Sequence, residues 1–250
     1  MLVLGLDIGS RTVDAVWLED GRVADHVVTD TGFDPRAVAE ALLTRARFDR
    51  LVATGYGRHV ARDAFGAEVV TEITAYARGA AHLFPGAGSV LDIGGQDTKV
   101  ISLGEDGKVA DFEMNDKCAA GTGRFLEVMA RALGFGLDQM ATEALTARSG
   151  VGISSMCTVF AESEVTGLVH RGEDRARIAR GLHESVAGRT CTALGRVRAR
   201  GPLVFAGGVA NNAAMVELVR AGFDGDVLVP ENAQTVGALG AALSASAANG

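Results

Sequence analysis

Short apolar runs that end in Asp-Ile-Gly occur twice along the chain. The stretch "LDIGSRTVDAVWLEDGRVAD" begins at Leu6, and "LDIGGQDTKVISLGEDGKVAD" begins at Leu91. In each copy an apolar strand leads into a turn of small and polar residues, a second strand, an Asp-Gly hairpin turn and a third strand. Asp7 and Asp92 occupy the same place in the two copies. The pattern therefore predicts one supersecondary unit in duplicate.

Helical patterns follow these strands. The stretch Asp34 to Arg47 begins with a capping aspartate and has Pro35 at the first helical position. A second helical pattern, Glu72 to Leu83, follows a short strand at Glu68 to Val70. Strands that alternate with helices predict an α/β fold, here with duplicated βββαβα units.

A third glycine element lies near the end of the chain. The stretch "LVFAGGVANNAAMVELV", Leu203 to Val219, reads as an apolar strand, a glycine pair and a helix. Glycines at that place let a flat adenine or a ribose pack against the backbone. A small-residue helix, Thr235 to Ser246, closes the fold. We expect two domains: residues 1–84, completed by the helix within 235–250, and residues 85–234.

The turns after the Asp-Ile-Gly strands suit a polyphosphate, because small residues let backbone N–H groups approach its oxygens. Asp7 and Asp92, at the ends of the two strands, suit a hydrated magnesium ion, which takes one or two carboxylates and keeps several waters. The predicted nucleotide contacts are Gly9, Ser10, Arg11, Thr12, Gly94, Gly95 and Asp97 in these turns, Gly121, Thr122 and Gly123 in a further turn, and Gly207, Gly208 and Asn211 in the last glycine element.

Composition narrows the partners and the compartment. The chain has 250 residues and a formal net charge of -7, which argues against nucleic acid and anionic membranes because both need clustered Lys and Arg. No run reaches the roughly 18 apolar residues of a membrane span. Its three cysteines are an odd number without the spacing of a disulfide scaffold. These features predict a soluble protein of a reducing cytoplasm.

Two of the cysteines precede helical patterns. Cys118 lies in "NDKCAAGTGRFLE" and Cys157 in "ISSMCTVFAESEV". A cysteine at a helix N-terminus is favoured as thiolate, the form that binds soft metals and iron–sulfur clusters. Two cysteines are too few for a usual four-cysteine cluster, but a twofold dimer supplies four. Buried packing and a nucleophilic role stay open for both residues, whereas Cys191, within a helical pattern, is expected to pack in the interior.

The three glycine elements resemble those of the acetate and sugar kinase, heat-shock ATPase and actin superfamily. More specifically, five stretches resemble the activator component of 2-hydroxyacyl-CoA dehydratases, to which subunits of ATP-dependent benzoyl-CoA reductases are related. The stretches are "ATGYGR" from Ala53, "DIGGQDTKV" from Asp92, "NDKCAAGTGRFLEVMA" from Asn115, "SSMCTVFAESEV" from Ser154 and "GGVANN" from Gly207. The resemblance implies a two-domain actin-like fold with ATP in the cleft.

The resemblance also implies a mechanism. Family members are homodimers with one bridging [4Fe–4S] cluster, whose ligands by motif would be Cys118 and Cys157 from each chain. ATP hydrolysis, with Gln96 near the γ-phosphate and the attacking water, drives a low-potential electron to a partner enzyme that acts on a CoA thioester. A ferredoxin or flavodoxin is the implied electron donor. One departure is Asp14, where the family often has lysine.

Two alternatives remain from the residues alone. A small-molecule kinase of the same fold would use Asp97 as the base, but it does not explain the paired cysteine motifs. A non-catalytic, nucleotide-dependent interaction protein would assemble with ATP and contain no iron. We expect catalysis of ATP hydrolysis to involve Gln96, Asp7 and Asp92.

Overall fold

The computed structural model describes residues 1–154 and 157–246. Its strands and helices alternate in the order expected from the sequence. The strands are β1 Leu2–Ile8, β2 Thr12–Glu19, β3 Arg22–Asp30, β4 Arg50–Thr54, β5 Glu68–Val69, β6 Ser89–Ile93, β7 Thr98–Leu103, β8 Val109–Asn115, β9 Leu203–Ala206 and β10 Val227–Leu228. The helices are α1 Pro35–Leu43, α2 Arg58–Phe65, α3 Glu72–Leu83, α4 Gly123–Ala132, α5 Leu137–Thr146, α6 Thr158–His170, α7 Arg175–Arg196, α8 Ala213–Gly222 and α9 Val236–Ser246.

The strands form two five-stranded sheets with the same topology. The first has the order β3-β2-β1-β4-β5, and the second, written in the same direction, has the order β8-β7-β6-β9-β10. In each sheet the hairpin strands pair antiparallel and the fourth strand pairs parallel with the first. Asp7 lies opposite Thr54, and Asp92 lies opposite Ala206. This equivalence confirms the predicted α/β fold of duplicated units, with α4 to α7 inserted into the second copy.

Helix boundaries follow local capping. The Asp34 side chain accepts a hydrogen bond from the amide of Ala37, and Pro35 begins α1 as predicted. The helix ends at Leu43, however, four residues before the predicted end at Arg47. The chain must leave the helix there to reach the edge of β1, where the amide of Asp49 donates to the carbonyl of Leu2 over 2.8 Å.

The last helix packs on the first sheet through small residues. Helix α9 lies against β1, β2, β4 and α3. A Cβ on Gly240 would overlap the carbonyl oxygen of Ala75, and a Cβ on Gly5 would overlap that of Ala238. The glycines therefore permit the close backbone approach, as the small-residue pattern of α9 predicts.

The boundaries of the two expected domains stay a prediction. Among the described residues, no helix is long and apolar enough to cross a membrane.

Candidate functional site: a cleft at the strand ends

A cavity of about 650 Å³ opens where the ends of β1, β6 and β9 meet. It brings together most of the predicted nucleotide contacts, although these come from three distant parts of the chain. Lining residues among those predicted are Asp7, Gly9, Ser10, Arg11, Thr12, Asp92, Gly94, Gly95, Gln96, Asp97, Gly123, Gly207, Gly208 and Asn211. A cavity of this size is typical of a small-molecule site.

The turns predicted to bind phosphate, Gly9 to Thr12 and Gly94 to Asp97, have the same local structure; they are called the first and second phosphate turns. In the first, the amide of Gly9 donates to the carbonyl of Thr12 over 2.9 Å; in the second, the amide of Gly94 donates to the carbonyl of Asp97 over 3.0 Å. A Cβ on Gly95 would come within 3.1 Å of Oγ of Ser10, so the turns pack against each other. Each presents small residues to the cavity, as a site for phosphate oxygens requires.

Glycines directly after the neighbouring parallel strands extend the duplication. Gly55 follows β4 with φ +87°, and Gly207 follows β9 with φ +83°. A Cβ on Gly55 would overlap Oδ1 of Asp7, and one on Gly207 would overlap Oδ1 of Asp92. Both positions therefore require glycine twice over, for the positive φ and for the close carboxylate. The equivalence of Gly55 and Gly207 is not evident from the sequence, because "ATGYG" and "FAGGV" share few residue types.

Buried carboxylates form the floor of the cleft. Asp7 is 5% exposed and Asp92 1% exposed. Burial raises the pKa of Asp7 well above its usual value, and the charge of nearby Asp14 raises it further. Burial likewise raises the pKa of Asp92, to about 6, against the opposing effect of the Lys99 ammonium. Both groups are therefore placed where a bound cation would favour their ionised forms.

Lys99 is the buried counter-ion of this floor. Its Nζ lies 2.9 Å from Oδ2 of Asp92 and 3.0 Å from Oε2 of Glu72, and it also bonds Asp97. Burial lowers its pKa, but the three carboxylates outweigh that effect and hold the pKa well above its usual value. Oδ1 of Asp92 has no hydrogen-bond partner among the described residues. That free oxygen is available to a metal ion or to its waters.

In the first copy, Asp14 occupies the place that Lys99 has in the second. Its Oδ2 accepts a hydrogen bond from Oγ1 of Thr12 over 3.1 Å, whereas Oδ1 is buried without a partner among the described residues. Burial raises the pKa of Asp14 to about 7. The two halves of the cleft thus differ in charge, because Asp7 lies opposite the Asp14 carboxyl whereas Asp92 lies opposite the Lys99 ammonium.

The last glycine element is ordered by side-chain amides. Gly208 to Asn211 form a single 3₁₀ turn, and Nδ2 of Asn211 donates to Oε1 of Gln234 over 3.0 Å. The next residue, Asn212, caps α8 through the amide of Met215 at 3.0 Å. Its Nδ2 lies 3.1 Å from Nε2 of the fully buried His183, whose Nδ1 bonds the carbonyl of Ala179. Helix α7 therefore supports the predicted adenosine turn from behind.

The second phosphate turn is hydrogen-bonded to the start of α4. The amides of Gly123 and Arg124 donate to the carbonyls of Gly94 and Gly95 over 2.9 and 2.8 Å. Oγ1 of Thr98 donates to the carbonyl of Gly121 over 2.8 Å. These bonds occupy backbone groups that would otherwise be free at a helix N-terminus.

Residues 121–123 lie partly behind this turn. Gly123 reaches the cavity, but Thr122 is fully buried and its Oγ1 bonds the carbonyl of Ala119. Gly121 has φ +92° and does not line the cavity, so it shapes the approach to the helix. Direct contact of Gly121 and Thr122 with nucleotide stays a prediction.

The two motif cysteines are exposed thiols that precede the inserted helices α4 and α6. Cys157 is the N-cap residue of α6, which packs against α4. Cys118 lies in the loop before α4. Because the N-cap of α4 is Thr122, Cys118 is not at the helix N-terminus, where the sequence analysis expected it. The side chain of Asn115 holds this loop by donating to the carbonyl of Cys118 over 2.9 Å. Exposure excludes the buried-packing alternative for both thiols.

Cys191 differs from these two cysteines. It is half-buried on α7 beside Gly222, and burial raises its pKa. Cys191 therefore packs between α7 and α8, but it is less deeply buried than the sequence predicts.

Several cleft residues were not among the predicted site residues. Tyr56 and Arg58, from "ATGYGR", line the cavity together with Glu72. Lys99 is the one charged residue of the strand "TKVISL", and a charged residue in a mostly buried strand was the available clue, because such residues are rarely buried without a partner.

The family of the chain follows from comparison with known proteins. The sequence model of the BadF/BadG/BcrA/BcrD ATPase family matches residues 4–245. The chain belongs to this ATPase family. An activator of lactoyl-CoA dehydratase from Anaerotignum propionicum is 46% identical over 254 residues, covering 98% of this chain and 97% of the relative.

Solved structures agree with this assignment. The activator of 2-hydroxyisocaproyl-CoA dehydratase from Clostridium difficile, solved with bound ADPNP, has a TM-score of 0.89 and 37% identity, covering 98% of this chain and 94% of that one. Component A of (R)-2-hydroxyglutaryl-CoA dehydratase from Acidaminococcus fermentans has a TM-score of 0.90 and 37% identity, covering 98% and 97%. The predicted actin-like ATPase fold is confirmed.

Proposed function

We propose that this ATPase is an activator that couples ATP hydrolysis to one-electron transfer toward a 2-hydroxyacyl-CoA dehydratase or a related CoA-thioester reductase. The observation that carries the proposal is the direct bonding of the second phosphate turn to the segment between Cys118 and α4. Gly94 and Gly95 contribute small residues to the nucleotide cavity and accept hydrogen bonds from α4 on their other side. The Gly94 and Gly95 backbone thus contacts both the nucleotide cavity and the helix that follows Cys118.

The cysteine pair fits a shared [4Fe–4S] cluster. Cys118 and Cys157 are both exposed and stand on segments joined by the packing of α4 on α6. Two thiols per chain complete a four-thiolate set only when two chains meet, so the proposal includes a homodimer with Cys118 and Cys157 of each chain as ligands. When bound, the cluster supplies the one-electron carrier. Exposed Val159 and Phe160 beside Cys157 provide apolar surface for the dimer contact.

Magnesium fits the floor of the cleft. Asp7 and Asp92 present buried carboxyls, and the unpartnered Oδ1 of Asp92 suits a metal-bound water. Gln96 is exposed to the cavity at the tip of the second turn, where its amide would orient the attacking water beside the γ-phosphate. Gln96 does not act as a base, because its side-chain amide positions water without accepting a proton.

The remaining partners follow from the same proposal. A ferredoxin or flavodoxin of the cytoplasm is the expected electron donor, since both are small one-electron carriers. The kinase alternative is not favoured, because three relatives that match 97–98% of this chain are named as dehydratase activators.

Anaerobic purification tests the proposal. We expect a coloured dimer with about four irons per two chains, and loss of iron in Cys118→Ala and in Cys157→Ala. Cys191→Ala is the matched control, because the half-buried thiol lies on another helix, and it should retain iron in full. Iron-free wild-type protein, or full iron in the Cys118→Ala variant, would refute the cluster assignment. Phosphorylation of a hydroxyl acceptor by iron-free protein would favour the kinase.

A further inference from the structure

An ion pair crosses the cleft between the first phosphate turn and helix α4. Nε of Arg11 lies 2.8 Å from Oε1 of Glu127. Arg11 belongs to the turn that follows β1, whereas Glu127 lies in the second turn of α4, the helix bonded to the other phosphate turn. Both residues line the ATP cavity. The pair therefore joins the first sheet to the helix that follows Cys118.

The path of the arginine depends on Gly95. A Cβ at Gly95 would overlap Cγ of Arg11, so the glycine leaves the space through which the arginine stem reaches Glu127. The Arg11 side chain is 52% exposed, whereas that of Glu127 is only 14% exposed. Glu127 is also held from its own helix by Nη1 of Arg124 at 3.1 Å. The arginine is thus the partner with freedom to move, and the carboxylate stays with α4.

A bound nucleotide brings a second anion to the same guanidinium. Arginine binds phosphate and carboxylate with the same donor geometry, so the polyphosphate between the two turns competes with Glu127 for Arg11. The carboxylate of Glu127 also faces the cavity and opposes the approach of negative charge. The cleft therefore has two arrangements of charge, one without and one with nucleotide.

We infer that Arg11 is a shared cation, bound to Glu127 in the empty cleft and to the polyphosphate in the occupied one, and that Glu127 is the positioning residue through which nucleotide binding acts on α4. The inference deepens the proposed function, because α4 begins directly after the segment that contains Cys118. It needs no movement of the buried floor residues. Only the half-exposed arginine changes its partner.

Nucleotide affinity tests the competition. With a non-hydrolysable ATP analogue and magnesium, Glu127→Gln should tighten binding about threefold, within the range of partly exposed ion pairs. Arg11→Gln should weaken binding, and in that background the gain from Glu127→Gln should largely disappear, since no shared cation remains. Glu113→Gln, which breaks a surface pair with Arg196 at 2.6 Å, is the matched control and should leave affinity unchanged.

Amide hydrogen exchange tests the link to α4. In wild-type protein the ATP analogue should speed exchange in residues 119–127 about threefold, the same factor as the affinity change. Glu127→Gln should show the faster exchange without nucleotide and no further change with it. If Glu127→Gln does not fold, Glu127→Asp, whose shorter side chain withdraws from Arg11, should change exchange in the same direction.

Two results would overturn the inference: a Glu127→Gln gain that persists in full in the Arg11→Gln background, or exchange in residues 119–127 that is identical in wild-type and Glu127→Gln protein without nucleotide. These results are distinguishable from failure of the proposed function. Protein that binds ATP and iron normally yet shows either result refutes only the role of Arg11 and Glu127. Protein without iron refutes the activator proposal, whatever the exchange data show.

Discussion

Replacing Asp14 with asparagine should stabilise the protein at alkaline pH and not at acid pH. Asp14 is 5% exposed, lies beside Asp7 on the neighbouring strand, and has one carboxyl oxygen without a partner among the described residues. Burial raises its pKa from 3.8 to about 7. Thr12 would still donate to the asparagine oxygen, so the variant retains the hydrogen bond at 3.1 Å.

The magnitude follows from the two pKa values of Asp14. Between pH 3.8 and about 7 the folded chain keeps the Asp14 proton while the unfolded chain loses it. The free energy of unfolding therefore falls as pH rises through this window and levels off above it. A difference of about 3 in pKa corresponds to ~4 kcal/mol. The variant has no such dependence, so its stability relative to wild type should rise by ~4 kcal/mol from about pH 4 to about pH 8.

A second effect is independent of pH. The asparagine places an amide nitrogen where the unpartnered oxygen was, which costs about 1–3 kcal/mol. We therefore expect Asp14→Asn to be less stable than wild type near pH 4 and about 1–3 kcal/mol more stable near pH 8. Equilibrium urea unfolding without nucleotide or magnesium measures both differences.

An exposed aspartate provides the control for Asp14. Asp224 lies on the surface before β10. Asp224→Asn makes the same chemical change at an exposed position and is measured in parallel. A stability difference between Asp14→Asn and wild type that stays constant from pH 4 to pH 8 would show that Asp14 is ionised in the folded protein, and would refute the reasoning.

Two further substitutions test the packing and the charge of the cleft. Gly240→Ala should lower the free energy of unfolding by about 1–3 kcal/mol or more, because its Cβ overlaps the Ala75 carbonyl, whereas Gly188→Ala, in open space on α7, should stabilise by up to ~1 kcal/mol. Thermal unfolding compares the two, and equal effects would contradict the close approach. Lys99→Met should lower the free energy of unfolding by about 3–5 kcal/mol, because three carboxylates lose their buried cation. If urea unfolding shows a decrease below about 1 kcal/mol, groups other than Lys99 neutralise these carboxylates.

The sequence predicts the duplicated sheets well because the repeat includes the strands and the turn chemistry together. Two copies of Asp-Ile-Gly in register locate both phosphate turns, and the hydrogen bond from Gly9 to Thr12 recurs from Gly94 to Asp97. The glycines at 55 and 207 are equally equivalent in space, but their surroundings in the sequence differ. That equivalence depends on packing against Asp7 and Asp92, which only the folded chain shows.

The charges of the cleft are less accessible to sequence reasoning. Lys99 is the one charged residue of β7, and nothing local reveals that it neutralises carboxylates from a neighbouring strand, a turn and the start of α3. The pairing of Arg11 with Glu127 joins residues more than a hundred positions apart. Cys118 precedes α4, as predicted, but it does not stand at the helix N-terminus, because the N-cap is Thr122 and the first amides of α4 bond the carbonyls of Gly94 and Gly95.

The arrangement of Gly94 and Gly95 explains why nucleotide and thiol can be coupled without a long pathway. Their carbonyls hold the first two amides of α4, while the opposite side of the turn meets Ser10, Arg11 and the nucleotide cavity. Any movement of the second turn is transmitted to α4 through bonds of 2.8–2.9 Å, and transfer of Arg11 to a polyphosphate would remove the ion pair that joins the first turn to Glu127. A rigid helix responds to such a displacement as a unit, so the loop that contains Cys118 is where the displacement appears. The glycines that make the phosphate site accessible thus also fix the position of the helix next to the thiol.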